Sequence, residues 1–343
     1  MRIAVVGGGI IGLACAWRLA RGGHRVTLYD AAPEAREASW AAAGMLAPHH
    51  EATAPDDLWR LGVASLARWP AFAEQLGGAA ALDLRQAGGL LPLVDPSDAA
   101  ELDAKRAFLR QQAIPFDDLD SAELARQEPA LAHCAGGLRL PAAQVNPRRA
   151  TAALRTACAA AGVELRYGSA VTSLTGLADL TVLASGAWTP ALATLSGLAL
   201  DGEPVKGQLL RFAVAGDLLR SFVHSHHAYL VPRAGEGLVV GSTMVWSGFD
   251  KAEDQVAIER LAANARHLLP ALADAPIVET WTGLRPRLHS GLPVLARVRP
   301  DLVVATGHFR NGILLTPATA DAVAELVDGT PSGLDLRPFA YSG

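Results

Sequence analysis

Cysteine is scarce in this chain: Cys15, Cys134 and Cys158 are the only three in 343 residues, with no CxxC pair and no histidine partner at metal spacing. A disulfide framework or zinc-thiolate centre is therefore not expected, and a reducing compartment is. Long apolar runs are missing too. Arg18, Arg21 and His24 break up the first helical stretch and its exit, so no segment of about eighteen apolar residues can cross a bilayer. No charged n-region, apolar stretch and cleavage site precede the first strand, which Met1 enters directly, so a cytoplasmic location is expected. Nor does one sign of charge dominate. The formal net charge of -4 leaves no basic field for nucleic acid and no polybasic segment for an acidic membrane. With 50% hydrophobic and only 19% charged residues the chain is globular, and its length suits about two domains.

What the chain has in abundance sits in its first thirty residues. An apolar strand (Arg2 to Val6) leads into Gly7-Gly8-Gly9-Ile10-Ile11-Gly12, a small-residue helix (Leu13 to Arg21) and a second strand (Arg25 to Tyr29) that closes on Asp30. This is G-x-G-x-x-G in a βαβ unit, the dinucleotide fingerprint in its required setting. Gly7 makes the tight turn, Gly9 lets the backbone approach a pyrophosphate, and Gly12 lets helix and strand pack closely. The anion then meets the helix N-terminus, while Asp30 suits the ribose hydroxyls.

Beyond the loop Ala31 to Ala38, the run Ser39 to Pro48 is built of tiny residues. They suit a backbone against which a flat ring or pyrophosphate lies, or equally a small-residue helix start capped by Ser39. Helical spacing follows over His49 to Gly77, strands over Leu82 to Gln86 and Gly89 to Val94, and a helix over Asp98 to Gln111. Helical turns capped by Ser121 are expected within Asp117 to Pro129, then a strand at Gly136 to Leu140. Asn146 as N-cap, Pro147 and Gly162 bracket a helix. Strands are expected at Val163 to Tyr167, Val171 to Leu174 and Asp179 to Ala184. From Glu203 the texture alternates: Lys206 to Val214, Phe222 to His224, Ala228 to Pro232, Gly237 to Thr243 and Pro276 to Thr282 read as an antiparallel sheet. A helix, Glu253 to Leu269, interrupts it. The strand Leu302 to Ala305, a glycine-rich turn to Gly312 and a helix over Ile313 to Val327 then present a second helix N-terminus to a ligand. The expected fold is α/β: a Rossmann-like dinucleotide domain (1–80, 141–202 and 285–343) with an antiparallel-sheet α+β domain (81–140 and 203–284).

The run His224-Ser225-His226-His227 has no carboxylate or cysteine at ligand spacing and reads as pocket and surface histidines, so no metal is expected. His308 and Asn311 are expected to hold the C-terminal turn, and Cys134 and Cys158 to be buried fillers.

GGGIIGLACAWRLA with Asp30, SWAAAGMLAP at 39–48, VLASGAW at 182–188, GLRP at 283–286 and ATGHFRNGILLTP at 305–317 together resemble the D-amino-acid oxidase family of flavoenzymes. The motifs span nearly the whole chain in the family's order. The pairing of AAAGMLAP with GHFRNGILL is most similar to its glycine-oxidase branch, which serves thiamine biosynthesis. The resemblance implies a glutathione-reductase-type FAD domain and non-covalent FAD. It places Gly7, Gly9, Ile10, Ile11, Gly12 and Asp30 on the ADP half, and Ser39, Ala42, Ala43, Gly44 and Met45 along the pyrophosphate and isoalloxazine. Val171, Gly186 and Trp188 lie opposite, and Gly307, Arg310, Asn311, Gly312, Ile313 and Leu314 cover the flavin's pyrimidine edge. Arg285 of GLRP clamps a substrate carboxylate, Tyr229 adds a hydroxyl, and Arg310, Met244 and His227 line the substrate pocket.

The implied reaction is oxidative deamination of glycine, sarcosine or a small D-amino acid, with O2 as acceptor, in a homo-oligomer. A D-amino-acid dehydrogenase passing electrons to a quinone is the alternative within the fold. A flavin domain acting on modified RNA bases is one of another class, which the charge argues against. Two positions depart from the family pattern: Asp30 replaces the usual glutamate, and Arg287 to Ala296 lacks the acid before Gly-Leu-Pro. No cysteine lies near the C-terminal turn to attach a flavin covalently.

Overall fold

The computed structural model describes residues 1–33 and 36–342. The expected loop Ala31 to Ala38 therefore lies partly outside the described residues. Two large sheets carry the architecture. The first runs Val294–Arg299, Leu302–Thr306, Leu180–Leu183, Arg2–Val6, Arg25–Tyr29, Glu164–Arg166. Its strands are parallel except at the Val294–Arg299 edge. A parallel sheet covered on both faces needs strands that are apolar on both sides. Ile3, Val5, Val182 and Val303 accordingly face a core shared with helices Ile10–Arg21, Pro147–Ala160 and Thr316–Asp328. Val6, Leu183 and Val304 face a second core with Leu174 and Ala193.

The second sheet has eight strands: Ile277–Leu288, Gly202–Phe212, Gly237–Gly241, Tyr229–Arg233, Phe222–His224, Gly89–Pro92, Gly136–Leu140 and Asp117–Asp120. All its pairs are antiparallel but the one between Phe222–His224 and Gly89–Pro92. Alternation along these strands sorts their side chains. Leu210, Phe212, Leu230 and Val240 pack under the helix Gln255–Leu268. Leu209, Val231, Val239 and Trp281 face the other way, onto Ala41 and Ala43 of the tiny-residue run. That run is therefore clamped against the second sheet, and the Trp281 indole fixes it by donating to the Ala41 carbonyl at 2.9 Å.

Several expected elements differ. Leu82 to Gln86 is not a strand. Ala79–Leu82 closes a short helix and Arg85 makes a single bridge to Gln144, because Asp83 turns the chain with φ +50°. Asp117–Asp120 is a strand, and Asp120, not Ser121, caps the helix Ser121–Gln127 in a reciprocal box with Glu123. Val171 to Leu174 forms no strand; Val171 and Leu174 pack onto the core of Leu183 and Val304 instead. The edge strand Val294–Arg299 was not expected. The strand Ile277–Leu288 runs past Thr282, so the boundary expected between 284 and 285 falls inside it. The last helix starts at Thr316, after a 3-10 turn at Phe309–Asn311, and not at Ile313.

Candidate active site

Between the sheets lies a cavity of about 460 Å³ that reaches from Gly7 and Asp30 at one end to Tyr229 and Arg285 at the other. Its first end is shaped by missing side chains. Gly7 has φ +115°, and a Cβ there would stand 2.4 Å from the Ala184 carbonyl oxygen. One on Gly12 would meet the Gly7 carbonyl at 1.9 Å, so Gly12 sets helix packing and does not itself line the cavity. Gly9 is the N-cap of Ile10–Arg21 and brings no side chain to the helix end. The Ile10 N–H donates to Ser39 Oγ at 3.0 Å, which ties the tiny-residue run to that helix start. Asp30 accepts from the Gly8 N–H at 2.6 Å and the Ala32 N–H at 2.8 Å, so its carboxylate is fixed at the cavity wall.

The middle is walled by Ala42, Ala43, Gly44 and Met45 on one side and Val171, Gly186 and Trp188 on the other. Gly44 has φ +96°, and its missing Cβ leaves room for the Val145 carbonyl. Ser185 Oγ donates to the Val6 carbonyl at 3.0 Å and Thr306 Oγ1 to that of Gly186 at 3.3 Å, locking three strand ends together.

At the far end Arg285 rises from Ile277–Leu288 and crosses Gly207 on the neighbouring strand. A Cβ on Gly207 would stand 2.3 Å from the guanidinium. Arg285 donates to Ser242 Oγ at 2.6 Å and the Thr243 carbonyl at 3.1 Å, both neutral acceptors. Among the described residues it has no carboxylate partner. Desolvation in the cavity pushes its pKa down, and Tyr229 opposes that shift. The Tyr229 hydroxyl lies over Gly241, where a Cβ would stand 2.3 Å from it. Two glycines in adjacent strands thus make room for the two polar side chains, a signal visible in sequence as glycine inside strand patterns.

Arg310, Gly312 and Ile313 also line the cavity, and Arg310 pairs with Glu51 of the short helix Pro48–Glu51. Gly307, Asn311 and Leu314 stand behind the wall. The Gly307 Cβ position is filled by Leu288, the Asn311 carbonyl accepts from the Leu315 N–H, and the Leu314 carbonyl accepts from Ser65 and Trp69. Two expected pocket residues lie elsewhere. Met244 is 42% exposed outside the wall, and His227 is held at 3.0 Å by Asp95; both lie in connections beyond the ends of their strands. Sequence reasoning missed Glu37, Glu51, Ser242 and Gly207. Glu37 pairs with Lys251 at 3.0 Å, and isolated acids in loops carry no pattern.

Buried histidines flank the cavity. His308 bonds Thr319 at 3.0 Å and holds the C-terminal turn, as expected; burial pushes it down to about 4, and His49 likewise, while His50 falls well below its ordinary value. Below about pH 6.5 the unfolded chain takes up protons that these folded histidines refuse, so stability is lost as pH falls towards 4. Each contributes about 1.4 kcal/mol per pH unit in that window. The urea midpoint of the holoenzyme is expected to drop between pH 7 and 5; a flat or rising midpoint would refute this. His289, raised by Asp201, opposes the trend but is fully at the surface.

Known proteins resemble this chain along nearly its whole length. The family model described as FAD dependent oxidoreductase matches residues 2–326. Glycine oxidase of Geobacillus kaustophilus is 35% identical, covering 99% of this chain and 96% of that protein. Glycine oxidase of Pseudomonas aeruginosa is 34% identical over 100% of this chain and 99% of its own. The crystal structure of glycine oxidase from Geobacillus kaustophilus superimposes with a TM-score of 0.92 at 34% identity, covering 99% and 98% of the two chains. With a family model matched over residues 2–326 and relatives 34–35% identical over nearly the whole chain, the chain belongs to the FAD dependent oxidoreductase family.

Proposed function

We propose that this FAD-dependent enzyme oxidatively deaminates glycine, sarcosine or a small D-amino acid, with O2 as the electron acceptor. The observation that carries the reading is Arg285: a desolvated guanidinium, bonded only to neutral groups, at the end of the cavity opposite the dinucleotide cradle. A guanidinium fork so placed suits a carboxylate, which it grips through two parallel hydrogen bonds. Tyr229 can donate its hydroxyl to the same group.

Gly7, Gly9, Ile10, Ile11 and Asp30 would hold the ADP half of FAD. Ser39 and Ala42 to Met45, with Val171, Gly186 and Trp188, would lie along its middle, and Arg310, Gly312 and Ile313 at the pyrimidine edge. Bound FAD supplies a two-electron acceptor for a hydride from the substrate Cα. Arg285 and Tyr229 fix the carboxylate and so set where that Cα–H can point. The three acids that line the cavity are already engaged: Asp30 by backbone N–H groups, Glu37 by Lys251 and Glu51 by Arg310. None of these carboxylates is left to serve as a base, and in this reading the amine reacts in its neutral form, with orientation and electrostatics carrying the rate. For glycine the balance is glycine, O2 and water to glyoxylate, ammonia and hydrogen peroxide.

A second reading has its own observation. Trp188 lines the cavity and stacks on Phe249 at 5.3 Å, and Trp188, Met244, Val245, Trp246 and Phe249 are all exposed. An apolar surface beside the cavity suits a dehydrogenase that meets a quinone or another acceptor. Purified holoenzyme offered glycine, sarcosine, D-alanine and D-proline in air separates the two. Peroxide release supports the oxidase. Flavin bleached anaerobically without peroxide in air supports the dehydrogenase, and no bleaching by any of the four sinks the substrate assignment. A homo-oligomer is part of the proposal, and sedimentation of the holoenzyme as a monomer would refute it.

A further inference from the structure

Outside the cavity, three segments far apart in sequence bring histidines and carboxylates together. Asp95 and Asp98 bound the 3-10 turn after the strand Gly89–Pro92. His226 and His227 lie in the turn between Phe222–His224 and Tyr229–Arg233, and His267 is in the last turn of the helix Gln255–Leu268. Asp95 Oδ2 stands 3.0 Å from His227 Nε2 and 3.1 Å from His267 Nε2. One donor atom from each of Asp95, His227 and His267 lies within 4.8 Å of the others, and the same holds for Asp98, His226 and His227. The carboxylates that the histidine run lacks in sequence are thus supplied by the fold.

Asp98 adds an independent observation. It is 5% exposed, and its Oδ2 accepts from the Val94 and Asp95 N–H groups at 2.9 and 2.8 Å. Its Oδ1 is buried and faces His226 Nδ1 at 2.8 Å, an ion-pair distance. A buried carboxylate is costly unless positive charge stands beside it, so Asp98 makes this corner favourable to a cation. The turn that carries the histidines is already fixed: Asn264 Nδ2 donates to the His227 carbonyl at 2.9 Å, and the His227 N–H donates to Ser225 Oγ at 3.2 Å. Such outer contacts hold ligands in place for an ion.

We propose that this cluster binds one divalent transition-metal ion, with Asp95, His227 and His267 as ligands and His226 and Asp98 beside it. Imidazole and carboxylate without thiolate select the zinc, cobalt and nickel class over copper(I), and nitrogen donors disfavour magnesium and calcium. An ion about 2.0–2.1 Å from tetrahedrally arranged donors separates them by about 3.3 Å. The two spacings from Asp95 Oδ2, 3.0 Å to His227 and 3.1 Å to His267, need to widen by only a few tenths of an ångström, and the two imidazole nitrogens lie within 4.8 Å of each other. The ion would staple a loop, a turn and a helix end, and so bind the folded chain in preference to the unfolded one.

The test uses chelator-stripped holoenzyme titrated with Zn²⁺ by calorimetry, with metal content and melting temperature measured after dialysis and Co²⁺ as a spectroscopic probe. Saturable uptake of about one ion per chain, a higher Tm with Zn²⁺ and a four-coordinate Co²⁺ spectrum are expected. The double variant His227→Gln/His267→Gln should lose affinity by about 100-fold or more, while His24→Gln, remote from the cluster, should not. Asp95→Asn, which keeps the side chain's shape, is checked for flavin content equal to the parent's, which guards against misfolding as the cause, and should also weaken binding. No saturable uptake, or uptake and Tm gain undiminished in these variants, would overturn the proposal and leave the cluster as ion pairs alone.

Discussion

Arg285→Ala is expected to lower kcat/KM for the preferred amino acid by about a thousandfold while flavin content and Tm stay close to those of the parent. Truncating one partner of a desolvated, charge-assisted pair costs about 2–5 kcal/mol, and each 1.4 kcal/mol is a factor of ten. The protein itself loses bonds to neutral groups alone: Ser242, the Thr243 carbonyl and Tyr229. The effect therefore belongs to the substrate. Arg285→Lys should recover part of the loss, because an ammonium keeps the charge but not the planar fork. Gly207→Ala serves as a companion. Its Cβ would stand 2.3 Å from the guanidinium, so the arginine must move although its charge is kept. Steady-state kinetics on flavin-replete samples checks all three. Unchanged kcat/KM in Arg285→Ala would show that no carboxylate binds there.

Gly7→Ala is expected to yield protein with little or no FAD. The residue has φ +115°, where an L side chain is strained, and the new Cβ would stand 2.4 Å from the Ala184 carbonyl. Relief requires the turn to move away from the strand Leu180–Leu183, which would take the floor from under the pyrophosphate in the proposed binding mode. Flavin absorbance per chain after gel filtration measures the outcome; retention near that of the parent would contradict the cradle. Far-ultraviolet dichroism of the same sample distinguishes cofactor loss from unfolding.

How far the site could be read ahead of the structure follows from how local each signal is. Gly7, Gly9 and Asp30 sit within one βαβ unit, whose strand, glycine and acid positions are set by short-range rules, and all three line the cavity. Arg285 and Tyr229 were reached through family motifs, and both stand in the wall. Met244 and His227 followed the same route and do not, because a pocket wall is built by turns whose direction depends on neighbours remote in sequence. Glu51 meets Arg310 from the far side of the chain, and Asp95 meets His227 and His267 likewise. No periodicity encodes such meetings. The same limit applies to Val294–Arg299, whose mixed apolar and arginine content is explained only by its place at a sheet edge. Asp120 displaced Ser121 as helix cap for a local reason: it pairs reciprocally with Glu123, three residues on.

In the proposed reaction a carboxylate held by Arg285 presents the Cα–H for oxidation. This is tested most directly by anaerobic flavin reduction with glycine and with glycinamide, which share the Cα but differ in the carboxylate, in the parent and in Arg285→Ala. Rapid bleaching by glycine and slow bleaching by glycinamide in the parent, with the two rates converging in the variant, is the expected result. Equal rates for the two compounds in the parent, or a glycine preference that survives in Arg285→Ala, would contradict it.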